Sequence, residues 1–155
     1  MKQIRLSTAY GKNVLLKLPK SKSYINSLNK IEGTQTIDNL VQEGISYYAV
    51  KPVFDCLSMN QMEQAALIGV ETRTISNWVR RDQVLSKTEA MQMIELDRIL
   101  QLGIEIFGSE ESFLIWFNNH NEALGNKSPK ELVLRPSGLR IIEEALTGME
   151  FGNIL

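Results

Sequence analysis

Helix-start signals divide the sequence from Ser58 onward, and they restrict the fold more than any other feature of the chain. The segments Ser58–Gln61 and Ser86–Glu89 match the capping box, in which a hydroxyl and a side chain three residues later satisfy free backbone amides. Ser128–Glu131 is a third such signal, and Pro129 at its first helical position strengthens it. The sequence therefore predicts a mainly α fold whose helices begin near these serines.

Apolar residues at helical spacing predict the remaining helices. One short helix stops at Gly44, one runs over 53–57 beside Pro52, one ends at Gly108, and the last breaks near Gly148. The sequence does not define the residue at which the helix beside Pro52 begins. The periodic positions are Ile37, Leu40, Val41, Leu96, Ile99, Leu100, Gly103, Ile106, Phe107, Leu139, Ile142, Ala145, Leu146 and Met149.

Residues 3–18 are the only segment that favours β structure. Two short, semi-alternating stretches surround Gly11 and Asn13, which tolerate tight turns, so a β-hairpin is one interpretation. A basic arm without regular structure is the other, because a polar Pro-Lys-Ser-Lys-Ser segment follows at once.

The amino-acid composition limits the expected cellular location and the kinds of metal site and disulfide that the chain can form. The 155 residues include one cysteine and one histidine, too few for a zinc site of the usual type, and a single cysteine forms no internal disulfide. No apolar run approaches the ~20 residues of a membrane span, and the first residues lack a signal-peptide core. We therefore expect a cytoplasmic protein without metal, cofactor or membrane partner.

The near-neutral net charge of −1 conceals a segregation of charge along the chain. Residues 1–30 carry seven basic groups and no acidic group, residues 31–69 have a balance of −4, residues 70–88 of +2, and residues 89–155 of −6. The basic ranges 1–30 and 70–88 are compatible with an anionic partner. The acidic range 89–155 is compatible with a different partner. Solvated surface is an equally good explanation for residues 1–30 alone.

Residues 62–81 contain the most informative motif. Small Ala65 and Ala66 precede Gly69, and a second helix begins near Glu71 or Thr72, a spacing typical of a helix-turn-helix. On that second helix Ile75, Trp78 and Val79 share one face, while polar and basic side chains occupy the other. Guanidinium and amide groups read base edges and hold phosphates. The predicted DNA-binding residues are Thr72, Arg73, Thr74, Ser76, Asn77, Arg80 and Arg81; an ordinary helical hairpin with a solvated polar face is the alternative.

No catalytic constellation is present in the sequence. His120 lies in a polar Asn-rich segment without a partner at a recognisable spacing, and Cys56 lies among apolar residues that favour an inert thiol. No GxxxxGK[ST] or GxGxxG motif occurs. We predict that the protein is not an enzyme.

Three ordered features after the DNA-binding helices resemble the toxin-binding half of Xre/MbcA/ParS-type antitoxins. They are a long helix ending in Phe107-Gly108, then Trp116 followed by Asn121-x-Ala-Leu-Gly125 and Ser128-Pro-x-Glu-Leu132, and a last helix closing in Glu150-Phe-Gly152. The resemblance covers roughly residues 45–155, and its ordered combination is more specific than any single motif. His120 stands where the family usually has proline, and Asn126 replaces the second glycine of a Gly-Gly pair.

The resemblance implies a type II antitoxin that occludes a cognate toxin, often a NAD-consuming RES-domain protein, and represses its own operon as a homodimer on double-stranded DNA. Phe113, Trp116 and Phe117 are candidates for the dimer interface, with intramolecular core as the alternative. The implied toxin-binding residues are Asn121, Ala123, Leu124, Gly125, Glu150, Phe151, Gly152, Asn153, Ile154 and Leu155. For the last six, an apolar tail that docks on a partner or on the protein's own core supports the assignment.

The corresponding domain organisation has three parts. Residues 1–44 form a basic arm, residues 45–88 the helix-turn-helix domain, and residues 89–155 a helical toxin-binding and dimerisation domain. The alternative function is a free-standing dimeric helix-turn-helix regulator that has no toxin partner.

Overall fold

The computed structural model of the protein describes residues 3–7, 13–17, 22–30 and 36–152, the first two ranges at the level of the backbone. Within these ranges eight α-helices follow a two-stranded sheet, and two 3₁₀ turns lie at Leu28–Lys30 and Glu122–Leu124. This mainly α architecture agrees with the sequence prediction. The elements are β1 (Gln3–Ser7), β2 (Asn13–Lys17), α1 (Ile37–Glu43), α2 (Tyr47–Cys56), α3 (Gln61–Ile68), α4 (Thr72–Arg81), α5 (Lys87–Phe107), α6 (Glu110–Asn118), α7 (Pro129–Val133) and α8 (Gly138–Glu150).

The two strands form an antiparallel hairpin. Gln3 lies opposite Lys17 and Ser7 opposite Asn13, so the pairing is in register along both strands. The hairpin interpretation of residues 3–18 is therefore confirmed for the paired residues. The linking residues 8–12 lie outside the described residues, as do three of the seven basic residues among residues 1–30, namely Lys2, Lys12 and Lys20.

Two of the three predicted capping boxes are confirmed, and the third is displaced by two residues. Ser86 caps α5 and Ser128 caps α7, each with the reciprocal glutamate three residues later. At the start of α3, however, the capping residue is Asn60 and its partner is Glu63. Ser58 instead adopts a φ of 50° in the preceding turn, so the prediction that a helix starts there was wrong. Asn60-x-x-Glu63 satisfies the same pattern, and a carboxylate three residues on favours it at a helix N-terminus.

Helix α2 differs from the sequence expectation because it contains Pro52 rather than beginning or breaking there. The helix starts at Tyr47 behind the cap Ser46, whose hydroxyl accepts from the Ala49 amide. Proline lacks the amide that would bond to the carbonyl four residues earlier. That carbonyl belongs to Tyr48, an exposed residue, so the missing donor costs less here than it would in the core.

Helix α8 also extends beyond its predicted end. It continues through Gly148 to Glu150, because an interior glycine weakens a helix by only about 1 kcal/mol. The buried Leu146 on the same helix offsets that cost through packing. By contrast, the predicted stops at Gly44 and Gly108 are confirmed, with φ angles of 98° and 80°.

Helix α5 is the centre of the core. It contacts α1, α2, α6 and α8, and one connected apolar cluster extends from Ile25 to Leu146. Phe113 of α6 packs directly over Gly103 of α5, where an added Cβ would lie 2.2 Å from the phenyl ring. This close approach fixes the position of α6, and with it the loop that follows α6.

A buried carboxylate ties residues 22–30 to the same helix. Asp97 of α5 accepts hydrogen bonds from the Ser23 hydroxyl and the Tyr24 amide, both at 2.8 Å, and also from Gln101. Burial raises the pKa of Asp97, and these hydrogen bonds oppose that rise. The segment is therefore held on α5 by directional bonds as well as by the fully buried Ile25.

Candidate functional site

The helix pair α3–α4 has the predicted geometry. Gly69 ends α3 in the left-handed conformation with a φ of 83°, and its amide donates to the Ala65 carbonyl at 2.8 Å. Ala65 is buried against the neighbouring elements, as its small size predicts. Helix α4 then begins at Thr72 behind Glu71, which confirms the expected start.

The polar face of α4 points to solvent. Arg73, Asn77 and Arg80 are exposed on the side opposite the fully buried Ile75, and Trp78 is also buried. The Arg80 guanidinium donates to the Asn77 side chain, so the two groups form one polar surface. The predicted DNA-binding residues divide into exposed Thr72, Arg73, Asn77, Arg80 and Arg81 and half-buried Thr74 and Ser76.

Two adjacent tyrosines of α2 hold α4 in place. The Tyr48 hydroxyl donates to the Val79 carbonyl at 2.7 Å, and its amide donates to Asp82, which follows the end of α4. The Tyr47 ring lies 6.3 Å from the Trp78 ring, and its hydroxyl donates to Gln64 of α3 at 2.8 Å. Because both helices are bonded to α2, the polar face of α4 is held on a rigid support.

Gln61 joins the polar surface of α4 and was missed by the sequence analysis. Its side-chain oxygen accepts from the Ser76 hydroxyl at 2.7 Å. The predicted capping box made Gln61 the reciprocal partner of Ser58. In the structure the capping residue is Asn60 and its reciprocal partner is Glu63. The correct helix start at Gln61 would have indicated that this side chain faces the following helix.

The loop between α6 and α7 is built around Asn121. Its side chain accepts from the Ala123 amide at 2.9 Å, and its own amide donates to the Lys127 carbonyl at 3.1 Å. These bonds close the loop at its base and leave Ala123 and Gly125 exposed, with Leu124 half-buried. Asn121 therefore stabilises the conformation of the loop.

Both departures from the family pattern have a structural account. Asn126 has a φ of 57°, a conformation that asparagine tolerates better than other non-glycine residues, so it serves in place of the glycine. His120 is exposed, and its Nε2 lies 3.3 Å from Glu131, whose pKa is lowered by hydrogen bonds from the Ser128 amide and hydroxyl. Neither residue disturbs the capping box of α7.

The end of α8 presents its last residues to solvent. Glu150 and Gly152 are exposed, and Phe151 is 72% exposed, so this phenyl ring does not dock on the core. Asn153, Ile154 and Leu155 lie outside the described residues.

The aromatic residues proposed for a dimer contact pack mainly in the core of a single chain. Phe113 and Phe117 are buried in the core, so the interface prediction for them was wrong and the intramolecular alternative is confirmed. Trp116 is half-buried between Phe107 and Phe113. The exposed apolar residue of α6 is Ile115, which the sequence analysis did not single out.

Metal-ligating side chains are not clustered in the described ranges. No cluster of three metal-ligating side chains occurs among residues 3–7, 13–17, 22–30 and 36–152. Cys56 is half-buried, and burial raises the pKa of its thiol, which disfavours the nucleophilic thiolate. No helix in these ranges is long and apolar enough to cross a membrane.

Comparison with known families assigns the C-terminal third of the chain. Residues 102–152 match the family described as antitoxin Xre/MbcA/ParS C-terminal toxin-binding domain. This third of the chain is similar to the toxin-binding domain of these antitoxins. The matched segment begins near the end of α5 and includes α6, the Asn121 loop, α7 and α8. This family is one of antitoxins, not of enzymes.

Two further comparisons add no function to this match. No curated protein matches the sequence of this chain. A chain in the crystal structure of the M. tuberculosis MbcT–MbcA toxin–antitoxin complex is similar to it, with 17% identity, a TM-score of 0.47, and coverage of 68% of this chain and 94% of that chain. A TM-score below 0.5 does not establish a common fold, so the match of residues 102–152 is the similarity that bears on function.

Proposed function

We propose that this antitoxin occludes a cognate toxin with its C-terminal half and represses its own operon with the helix pair α3–α4. The match of residues 102–152 to a toxin-binding domain is the observation that carries the first part. The exposed polar face of α4 supports the second. The division into an arm over 1–44, a DNA-binding domain over 45–88 and a toxin-binding domain over 89–155 belongs to this proposal.

The toxin-facing surface in this proposal combines the Asn121 loop with the end of the chain. Asn121 holds the loop, and Ala123, Leu124 and Gly125 form the contact. The exposed Phe151 begins an apolar tail that continues with Asn153, Ile154 and Leu155. The proposed toxin is a NAD-consuming RES-domain protein, as the family resemblance implies.

The operator-facing surface is the polar face of α4. In this proposal the major groove is read by Arg73, Asn77, Thr72, Thr74 and Ser76, and phosphate is bound by Arg80 and Arg81 at the end of α4. Operators with two half-sites require a two-fold symmetric reader, so the proposal includes a homodimer. The exposed Gln61 bonds to Ser76 and thereby orients one groove-facing side chain.

Arginine substitutions distinguish base reading from phosphate binding. Arg73→Ala should weaken operator binding by about 1–3 kcal/mol and relax sequence preference at one base pair. Arg80→Ala should instead weaken binding to all sequences alike and lower the salt dependence by about one counterion. Binding of a sequence-randomised duplex library, measured at several salt concentrations, gives both quantities.

Arg140→Ala is the matched control, because Arg140 is an exposed arginine on α8 with a single ion pair to Glu144. It should leave DNA binding unchanged. Identical binding by wild type, Arg73→Ala and Arg80→Ala would show that α4 does not contact DNA, and the helical hairpin would then be only structural.

Co-expression tests the toxin assignment. The product of the reading frame beside the antitoxin gene should stop growth when expressed alone and should be harmless when the antitoxin is co-expressed. A fall in cellular NAD that the antitoxin prevents supports a RES-type toxin. Growth arrest without NAD loss would assign a different toxin chemistry, and no arrest at all would favour the free-standing regulator.

A further inference from the structure

An open groove lies beside the Asn121 loop, within the segment that matches the toxin-binding domain. It has a volume of about 650 Å³ and is bounded by the end of α5, one face of α6 and the start of the loop. Phe107, Ile115, Trp116 and Ala123 contribute its apolar surface. All of its lining residues fall between 107 and 123, so the groove belongs wholly to the matched range of 102–152.

The apolar wall of the groove is not covered by the described residues. Ile115 is 60% exposed, although α6 turns Phe113 and Phe117 into the core. Burying an isoleucine side chain is favourable by about 1.5–3 kcal/mol, so its exposure forgoes stabilisation that a partner can supply.

Aromatic packing shapes the floor of the groove. The Trp116 ring lies 5.4 Å from the Phe107 ring and 5.9 Å from the Phe113 ring. The indole Nε1 is buried and has no hydrogen-bond partner among the described residues. Tilted aromatic contacts position the indole, and the rings of Trp116 and Phe107 line the groove.

The net charge of the matched segment that contains the groove indicates the character of its partner. Residues 102–152 contain eight acidic and four basic side chains, a balance of −4. Exposed Glu110, Glu111 and Glu122 lie on α6 and in the adjoining 3₁₀ turn, and Glu122 lines the groove itself. A protein surface that docks here is expected to place basic residues around an apolar centre.

We propose that this groove receives an apolar side chain from a basic face of the toxin, with Ile115 and Trp116 as the central contacts. The inference rests on the proposed toxin-binding function and adds a contact surface on α6 to the loop and the tail. The location of the whole groove in the matched domain and the acidic charge around it favour the toxin over a second copy of this chain, which carries the same acidic surface.

The test uses the full-length antitoxin and the protein from the neighbouring reading frame, with the dissociation constant measured by calorimetry. Ile115→Glu should weaken binding at least tenfold, because it places a charge in the apolar centre. Ser112→Trp should do the same by filling the groove while leaving every apolar side chain in place. Met62→Glu is the control, since Met62 is an exposed apolar residue on α3, far in sequence from the groove.

The outcomes distinguish the groove proposal from a dimer contact and from failure of the proposed function. Wild-type affinity in both Ile115→Glu and Ser112→Trp overturns the groove proposal while leaving the antitoxin function intact. Unchanged toxin affinity together with conversion of a dimer to a monomer, seen by sedimentation, assigns the groove to a second copy and also overturns it. Absence of binding by the wild-type protein overturns the proposed function itself. Circular dichroism of each variant confirms that the helices remain folded.

Discussion

Replacing Gly138 by alanine should unfold the C-terminal half of the protein. Gly138 is the first residue of α8, and a Cβ at this position would lie 1.7 Å from the Leu132 carbonyl oxygen and 2.8 Å from the Val133 Cα. These are backbone atoms of α7 and cannot turn aside as a side chain can. We expect the free energy of unfolding to fall by more than about 3 kcal/mol, because α7 and α8 must separate to admit one methyl group.

Gly125→Ala is the matched control for this effect. An added Cβ at Gly125 meets nothing within 4 Å, and only the φ of 68° is unfavourable, so a loss of about 1 kcal/mol is expected. Urea denaturation followed by circular dichroism measures both variants. Equal losses would show that α7 and α8 do not pack as closely as the structure places them.

Local signals allowed much of the fold to be predicted from the sequence. The capping boxes at Ser86 and Ser128 and the glycine stops at Gly44 and Gly108 act within a few residues, so their patterns identify them directly. The short turn at Gly69 and the two faces of α4 follow from the same local rules. These features are independent of distant contacts, which is why a single sequence reveals them.

The features that the sequence did not reveal depend on tertiary context. Pro52 is tolerated inside α2 because the carbonyl left without a donor belongs to the exposed Tyr48. Ile115 could not be separated from the apolar run 113–117 until α6 was placed against α5, which buries Phe113 and Phe117 and leaves Ile115 outside. From helical periodicity alone, every residue of such a run is equally expected to be buried.

Removing residues 150–155 should abolish neutralisation of the toxin while leaving operator binding nearly intact. The deletion takes away the last residue of α8 and the 72%-exposed Phe151, and the described part of this segment is solvent-exposed. Leu146, which anchors the end of α8 in the core, is retained. The deleted chain should therefore fold, and its thermal midpoint checks that it does.

Arg73→Ala should have the opposite effect, since Arg73 lies on the exposed face of α4 outside the matched segment 102–152. This variant should lose repression and still protect cells from the toxin. Its fold should be unchanged because the side chain is exposed. The pair of variants thus separates the two activities that the proposed function assigns to one chain.

The most direct measurement scores both variants in one strain for survival during toxin expression and for repression of a reporter fused to the antitoxin's own promoter. The account predicts that the chain lacking residues 150–155 represses but does not protect, and that Arg73→Ala protects but does not repress. Normal protection by the shortened chain would show that the tail is not the inhibitory element. Joint loss of protection, repression and folding in that chain would show that the tail belongs to the core, contrary to the account.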